Sequence, residues 1–91
     1  MDVNVEVDMY KNKNQDGTLN ICGVKIKKLR MSLEPPVSQR MLADKLQLIG
    51  IDLDKNAIQK IESGKRFVTD IEIVAFAKIF QLTTDELLAK E

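Results

Sequence analysis

The side chains able to do chemistry in this 91-residue chain are few. There is no histidine, and Cys22 is the single cysteine. A zinc site is excluded in practice, as are the His-dependent nucleophiles, and no intramolecular disulfide can form. Glu62, Asp70 and Glu72 are carboxylates that packing and capping roles account for. Ser38 has no base to activate it and suits a helix cap. Cys22 reads as a small packing residue near the first helix. The expectation is therefore no enzyme, no cofactor and no metal. What remains is charge. The net charge is zero, but the fourteen cations and fourteen anions are unevenly spread. Residues 1–20 hold two Lys against four Asp/Glu, residues 24–66 ten Lys/Arg against five, and residues 67–91 two against five. A basic block in the middle of a compact domain is a footprint suited to phosphates. An ordinary solvated helix face is the alternative.

That block needs elements to hold it. The length supports one small domain, and 44% hydrophobic residues support a core. With three Phe, one Tyr and no Trp the core must be aliphatic. No apolar run approaches the ~18 residues of a membrane span. The acidic opening MDVNVEVD lacks the basic start and apolar run of a signal peptide, so a cytoplasmic location is expected.

Val3, Val5 and Val7 alternate with Asn4, Glu6 and Asp8, a period-two pattern suited to a half-buried strand. Such a strand must pair near Leu19 to Ile21, pair with another subunit, or remain a disordered arm. Asp16-Gly17 then signals a turn. From Asn20 the period changes. Val24, Ile26, Leu29 and Leu33 suit one side of a helix, with Asn20 as N-cap and Pro35-Pro36 as terminator. Three further helix starts share one design. Ser38, Thr69 and Thr83 are N-caps, Glu72 and Glu86 complete capping boxes, and Val37/Leu42, Val68/Ile73 and Leu82/Leu87 form hydrophobic staples. One more helix starts at Asp54, presents Ala57, Ile58 and Ile61, and stops at Gly64. The stretch LQLIGIDLDKN before it extends the second helix through Leu48 or Ile49, with Gly50 as its cap. Ile51 and Leu53 then plug the turn onto the core. The reading is an all-α domain of five short helices over residues 20–91, preceded by an N-terminal arm, residues 1–19.

The segments IKKLR, SQRMLADKLQ, AIQKIESGKR and AFAKIFQLTTDELL follow in an order that resembles the lambda-repressor/Cro-type (XRE) helix-turn-helix family. The resemblance covers roughly Gly23 to Leu88. It implies a five-helix lambda-repressor-like fold in which Ser38 to Leu48 or Ile49 is the second helix. Lys55 to Ser63 would be the recognition helix that enters the DNA major groove. Two departures stand out. The link from Arg30 to Gln39 is about two residues longer than usual, and Leu46 to Ile58 holds about five residues more than the family's tight turn.

By that resemblance Lys55, Asn56, Ala57, Gln59 and Lys60 are the base-reading candidates. Asn bridges adenine N6 and N7, and Lys donates to guanine O6 or N7. Asp54 caps the helix and reads no base. Gln39 and Arg40 match positions that meet the DNA backbone, and Ser63, Lys65 and Arg66 are the next phosphate candidates. Arg30 and Glu62 match a structural ion pair tying the recognition helix to the first helix. The implied function is a sequence-specific transcriptional regulator, a repressor by occlusion, of the kind found in phages, mobile elements or as antitoxins. It would act on double-stranded DNA as a homodimer, with Phe80, Leu82, Leu87 and Leu88 as interface candidates, though Leu82 and Leu87 fit the core better. The DNA-binding domain nearly fills the chain, which leaves little room for an effector domain. The competing reading is a protein-interaction module on the same fold, with residues 2–8 adding a strand to a partner.

Overall fold

The computed structural model describes residues 14–90. Within them all regular structure is α-helical: α1 Gly23–Ser32, α2 Gln39–Leu48, α3 Lys55–Glu62, α4 Asp70–Phe80 and α5 Thr84–Leu88. The alternating residues Val3 to Val7 lie outside the described residues.

Local chemistry sets the helix starts. The Ser38 hydroxyl accepts the Met41 N–H at 3.1 Å, and the Asp54 carboxylate accepts the Ala57 N–H at 2.8 Å. Thr69/Glu72 and Thr83/Glu86 each form a reciprocal capping box. Each such cap stabilises its helix by about 1 kcal/mol relative to Ala. The turn at Asp16-Gly17 forms as well: the Asp16 carboxylate accepts from the backbone and the hydroxyl of Thr18.

The ends of α2 and α3 are built alike. After α2, the Gly50 N–H donates to Gln47 O and the Ile51 N–H to Leu46 O, both at 3.0 Å, with Gly50 at φ 87°. After α3, the Gly64 N–H donates to Ile61 O and the Lys65 N–H to Lys60 O, with Gly64 at φ 76°. This paired closure satisfies orphan carbonyls through a left-handed residue, the conformation glycine enters without steric penalty. At Gly64 a side chain is doubly excluded, because a Cβ would sit 2.6 Å from the Thr18 methyl. α4 closes the same way on Gln81, at φ 57°.

Seven side chains from all five helices are essentially inaccessible: Ile26, Leu42, Leu46, Ile58, Ile61, Phe76 and Leu87. Fully burying such a side chain contributes ~1.5–3 kcal/mol, so this group joins the helices into one core. α3 packs against both α1 and α2, α4 against α2, and α5 against α4. In the link between α2 and α3, residues 49–54, Leu53 is buried and Ile51 half-buried, so the enlarged turn is plugged onto the core. Leu48 and Ile49 are not: Leu48 is 86% exposed.

Three expectations are corrected here. Val24 is 64% exposed, and the inward place on α1 belongs to Arg30. Ile26 is buried and Leu29 and Leu33 pack against the core as expected, whereas Val24, two residues before Ile26, falls on the opposite side of the helix. Asn20 is not the residue preceding α1. The helix starts at Gly23 after Cys22, which makes no side-chain cap. Asn20 still caps it from a distance, accepting the Gly23 N–H at 2.8 Å while its amide donates to Ile61 O and Arg66 O. Lastly, Phe80 is buried, as is Leu87, whose better fit to the core was the expectation, and Leu82 and Leu88 are partly buried against the same core. The first two present no surface to a partner.

Candidate nucleic-acid interface

α3 has two unlike faces. Ile58, Ile61 and Glu62 point inward, and Lys55, Asn56, Gln59 and Lys60 point out. Ala57 is half-buried between them. Among the described residues no hydrogen bond or ion pair occupies the outward side chains, so their donors and acceptors face solvent. Asp54 is held as the cap by its bond to the Ala57 N–H.

The inward face is fixed by Arg30. Its guanidinium meets Glu62 through two bonds, Nε to Oε2 at 2.8 Å and Nη2 to Oε1 at 3.0 Å. A third goes from Nη1 to Val37 O at 2.9 Å. Both residues are buried. The bond to Glu62 raises the Arg30 pKa further above its ordinary value. The fork thus ties α1, the start of α2 and the last turn of α3 together.

The five phosphate candidates divide. Arg40, Ser63 and Lys65 are exposed, and Arg40 and Lys65 have no side-chain partner among the described residues. Gln39 is half-buried and donates to Glu62 Oε1 at 3.0 Å, completing the buried network. Arg66 is also engaged. It forks onto Glu72 at 2.9 and 3.1 Å and donates to Phe67 O at 2.7 Å. The bond to Glu72 raises the Arg66 pKa. Two of the five are thus committed to the fold, and Arg40, Ser63 and Lys65 frame α3 from either end.

Burial pushes the Glu72 carboxyl up, but the bonds from Arg66 and from the Thr69 N–H outweigh it and hold its pKa below the ordinary value. A carboxyl depressed in the folded state contributes stability that is present above its unfolded pKa. That stability is lost as pH falls through the folded value. Urea midpoints should therefore decline below the ordinary glutamate pKa of about 4.3. Replacing Glu72 with Gln should lower the plateau at neutral pH and flatten the decline. An equally steep decline in the variant would remove Glu72 as its source.

Between α2 and α3 lies a cleft of about 340 Å³ lined by Arg40, Ala43, Asp44, Gln47, Asp52, Leu53, Asp54, Lys55 and Asn56. It brings three carboxylates beside two cations at the edge of the outward face. Sequence reasoning had no role for Asp44 or Asp52. The signal available was that Asp44, Asp52 and Asp54 are three of the five carboxylates inside the basic block of residues 24–66. Lys25 was also unforeseen: its ammonium donates to Glu86 O and Ala89 O, closing the carbonyl end of α5. Comparisons of the chain with protein-family models, with curated proteins and with solved structures found no match.

Proposed function

We propose that this chain is a sequence-specific DNA-binding transcriptional regulator that lays α3 in the major groove. The observation that carries the reading is the division of α3. One face is locked by the core and the Arg30–Glu62 fork, and the other presents four Lys, Asn and Gln side chains that no described residue engages. A rigid helix with free amide and ammonium groups has the form of direct base readout. Arg40 and Lys65 add cations on either side for phosphates, and the N-terminus of α2 offers amides to the same end. On this reading the fold is lambda-repressor-like, with residues 49–54 as an extended turn in the helix-turn-helix. The chain represses by occupying its operator, as phage regulators and antitoxins do.

Mobility shifts on a pool of duplexes test the roles residue by residue. Lys65→Ala should weaken binding to all sequences alike and reduce the salt slope by about 1. Asn56→Ala should relax preference at one base position, at a cost of ~1–3 kcal/mol for the preferred base. If Asn56→Ala weakens all sequences equally, α3 does not read bases at its first turn.

The acidic cleft makes a second prediction. Asp52 is exposed at the rim of the surface offered to DNA, where its charge opposes the phosphates. Asp52→Asn should tighten binding several-fold at low salt, an advantage that fades as salt is raised. Unchanged affinity at low salt would place the DNA away from the α2–α3 cleft.

One observation favours protein contact as a companion role. Phe67, Ile71 and Val74 are 52%, 67% and 44% exposed. Ile71 and Val74, three residues apart, share one side of α4, and Phe67 lies in the segment that leads into it. In a homodimer this stripe is the interface, replacing Phe80 and Leu87. In the protein-interaction reading it is the docking face.

A further inference from the structure

Beside the start of α1 lie two adjoining clefts of about 310 and 330 Å³, which share Ile21, Val24 and Lys90. Ile21 is 61% and Val24 64% exposed, so the shared floor is aliphatic and open. The turn from Asn14 to Thr18 forms one wall. That wall is anchored: the Leu19 N–H donates to Gly64 O at 2.8 Å, and Asn14 bonds to Thr18 and to Asn20 O. Asn14, the first described residue, therefore sits at the edge of the groove.

Its composition matches the floor. Val3, Val5 and Val7 alternate with Asn4, Glu6 and Asp8, so an extended conformation puts aliphatic groups on one side and carboxylates on the other. Lys90, an exposed cation at the rim of both clefts, supplies the opposite charge, while the exposed Asp16 lines only the first of them, so the carboxylates are matched on the side of the second. Reach is sufficient, because the seven residues from Val7 to Asn14 span up to about 23–25 Å when extended. We propose that residues 3–8 of the N-terminal segment dock in this groove of their own chain, with the valines over Ile21 and Val24 and the carboxylates toward Lys90. The tether favours the chain's own segment over a separate molecule, since it raises the local concentration to the millimolar range. The proposal is independent of DNA binding.

The chain carries its own reporter. Tyr10 is the only tyrosine and there is no tryptophan, so intrinsic fluorescence comes from the segment alone. Acrylamide quenching and anisotropy of Tyr10 are measured in the full chain, in Ile21→Asp/Val24→Asp, and in Val5→Asp/Val7→Asp, with circular dichroism reporting folding. The native chain should protect Tyr10, and both double variants should lose that protection with helicity unchanged. If Ile21→Asp/Val24→Asp loses helicity, the second variant, which alters no residue of the helical core, carries the test. Protection in the native chain should be unchanged by dilution. Quenching equal in the native chain and Val5→Asp/Val7→Asp overturns the proposal. Protection that disappears on dilution also overturns it, assigning the groove to the segment of a second copy.

Discussion

Arg30→Met is expected to destabilise the domain by about 3–5 kcal/mol, because it leaves the buried Glu62 carboxylate without its charge partner. Gln39 alone would then donate to that carboxylate, and Val37 O would lose its guanidinium donor. In a domain of this size 1 kcal/mol moves Tm by about 4–8 °C, so the melt should fall by more than about 10 °C. The pair itself is a different quantity from its halves. Replacing both members by apolar residues removes the charges together, and such exchanges are often neutral or stabilising. Arg30→Met/Glu62→Leu should accordingly recover much of the loss. A single variant melting within a degree of the native chain would show that Glu62 finds solvent or another partner. It would also remove the anchor assigned to α3.

Gly23→Ala is the second large effect. The start of α1 lies directly on the end of α3, and a Cβ at Gly23 would run into the Ile61 carbonyl and crowd the Asn20 amide. That carbonyl accepts from both Asn20 and the Gly64 N–H. The obstacle is therefore backbone, held on both sides, and cannot turn away as a flexible side chain would. Overpacking of this kind costs ~1–3 kcal/mol, and this site belongs at the upper end of that range. The usual gain of roughly 0.5–1 kcal/mol from Ala over Gly inside a helix should be overwhelmed. Thermal melts of Gly23→Ala decide it. A variant as stable as the native chain would mean that the two helix ends separate at little cost.

How much of this was legible in the residues depended on where each partner lies. Ser38, Asp54, Thr69 and Thr83 cap amides three residues away, and Gly50 and Gly64 close the helix that precedes them. Such signals are local, and the all-α organisation followed from them. The plug formed by Leu53 was likewise readable, since an apolar residue in a link between two helices has only the core to bury against. Asn20 was read as a simple cap because its bonds to Ile61 and Arg66 cross 41 and 46 residues. Gln39 looked free for the same reason, its partner lying 23 residues away, whereas Arg66 looked free although Glu72 is only six residues on. A carboxylate from another element takes each of them, and no spacing rule reveals which cation in a basic block is already neutralised. Val24 was misplaced because it stands two residues from Ile26, a spacing that a helix turns to opposite sides.

The division of α3 remains the centre of the account, and selection of bound sequences from random duplex DNA tests it most directly. The account predicts enrichment of a defined motif by the full chain. If the chain acts as a dimer, the motif should be an inverted repeat with half-sites ~34–36 Å apart, or a multiple of that. Recovery of no preferred sequence and no binding at low salt, from protein whose helicity is intact, would contradict it.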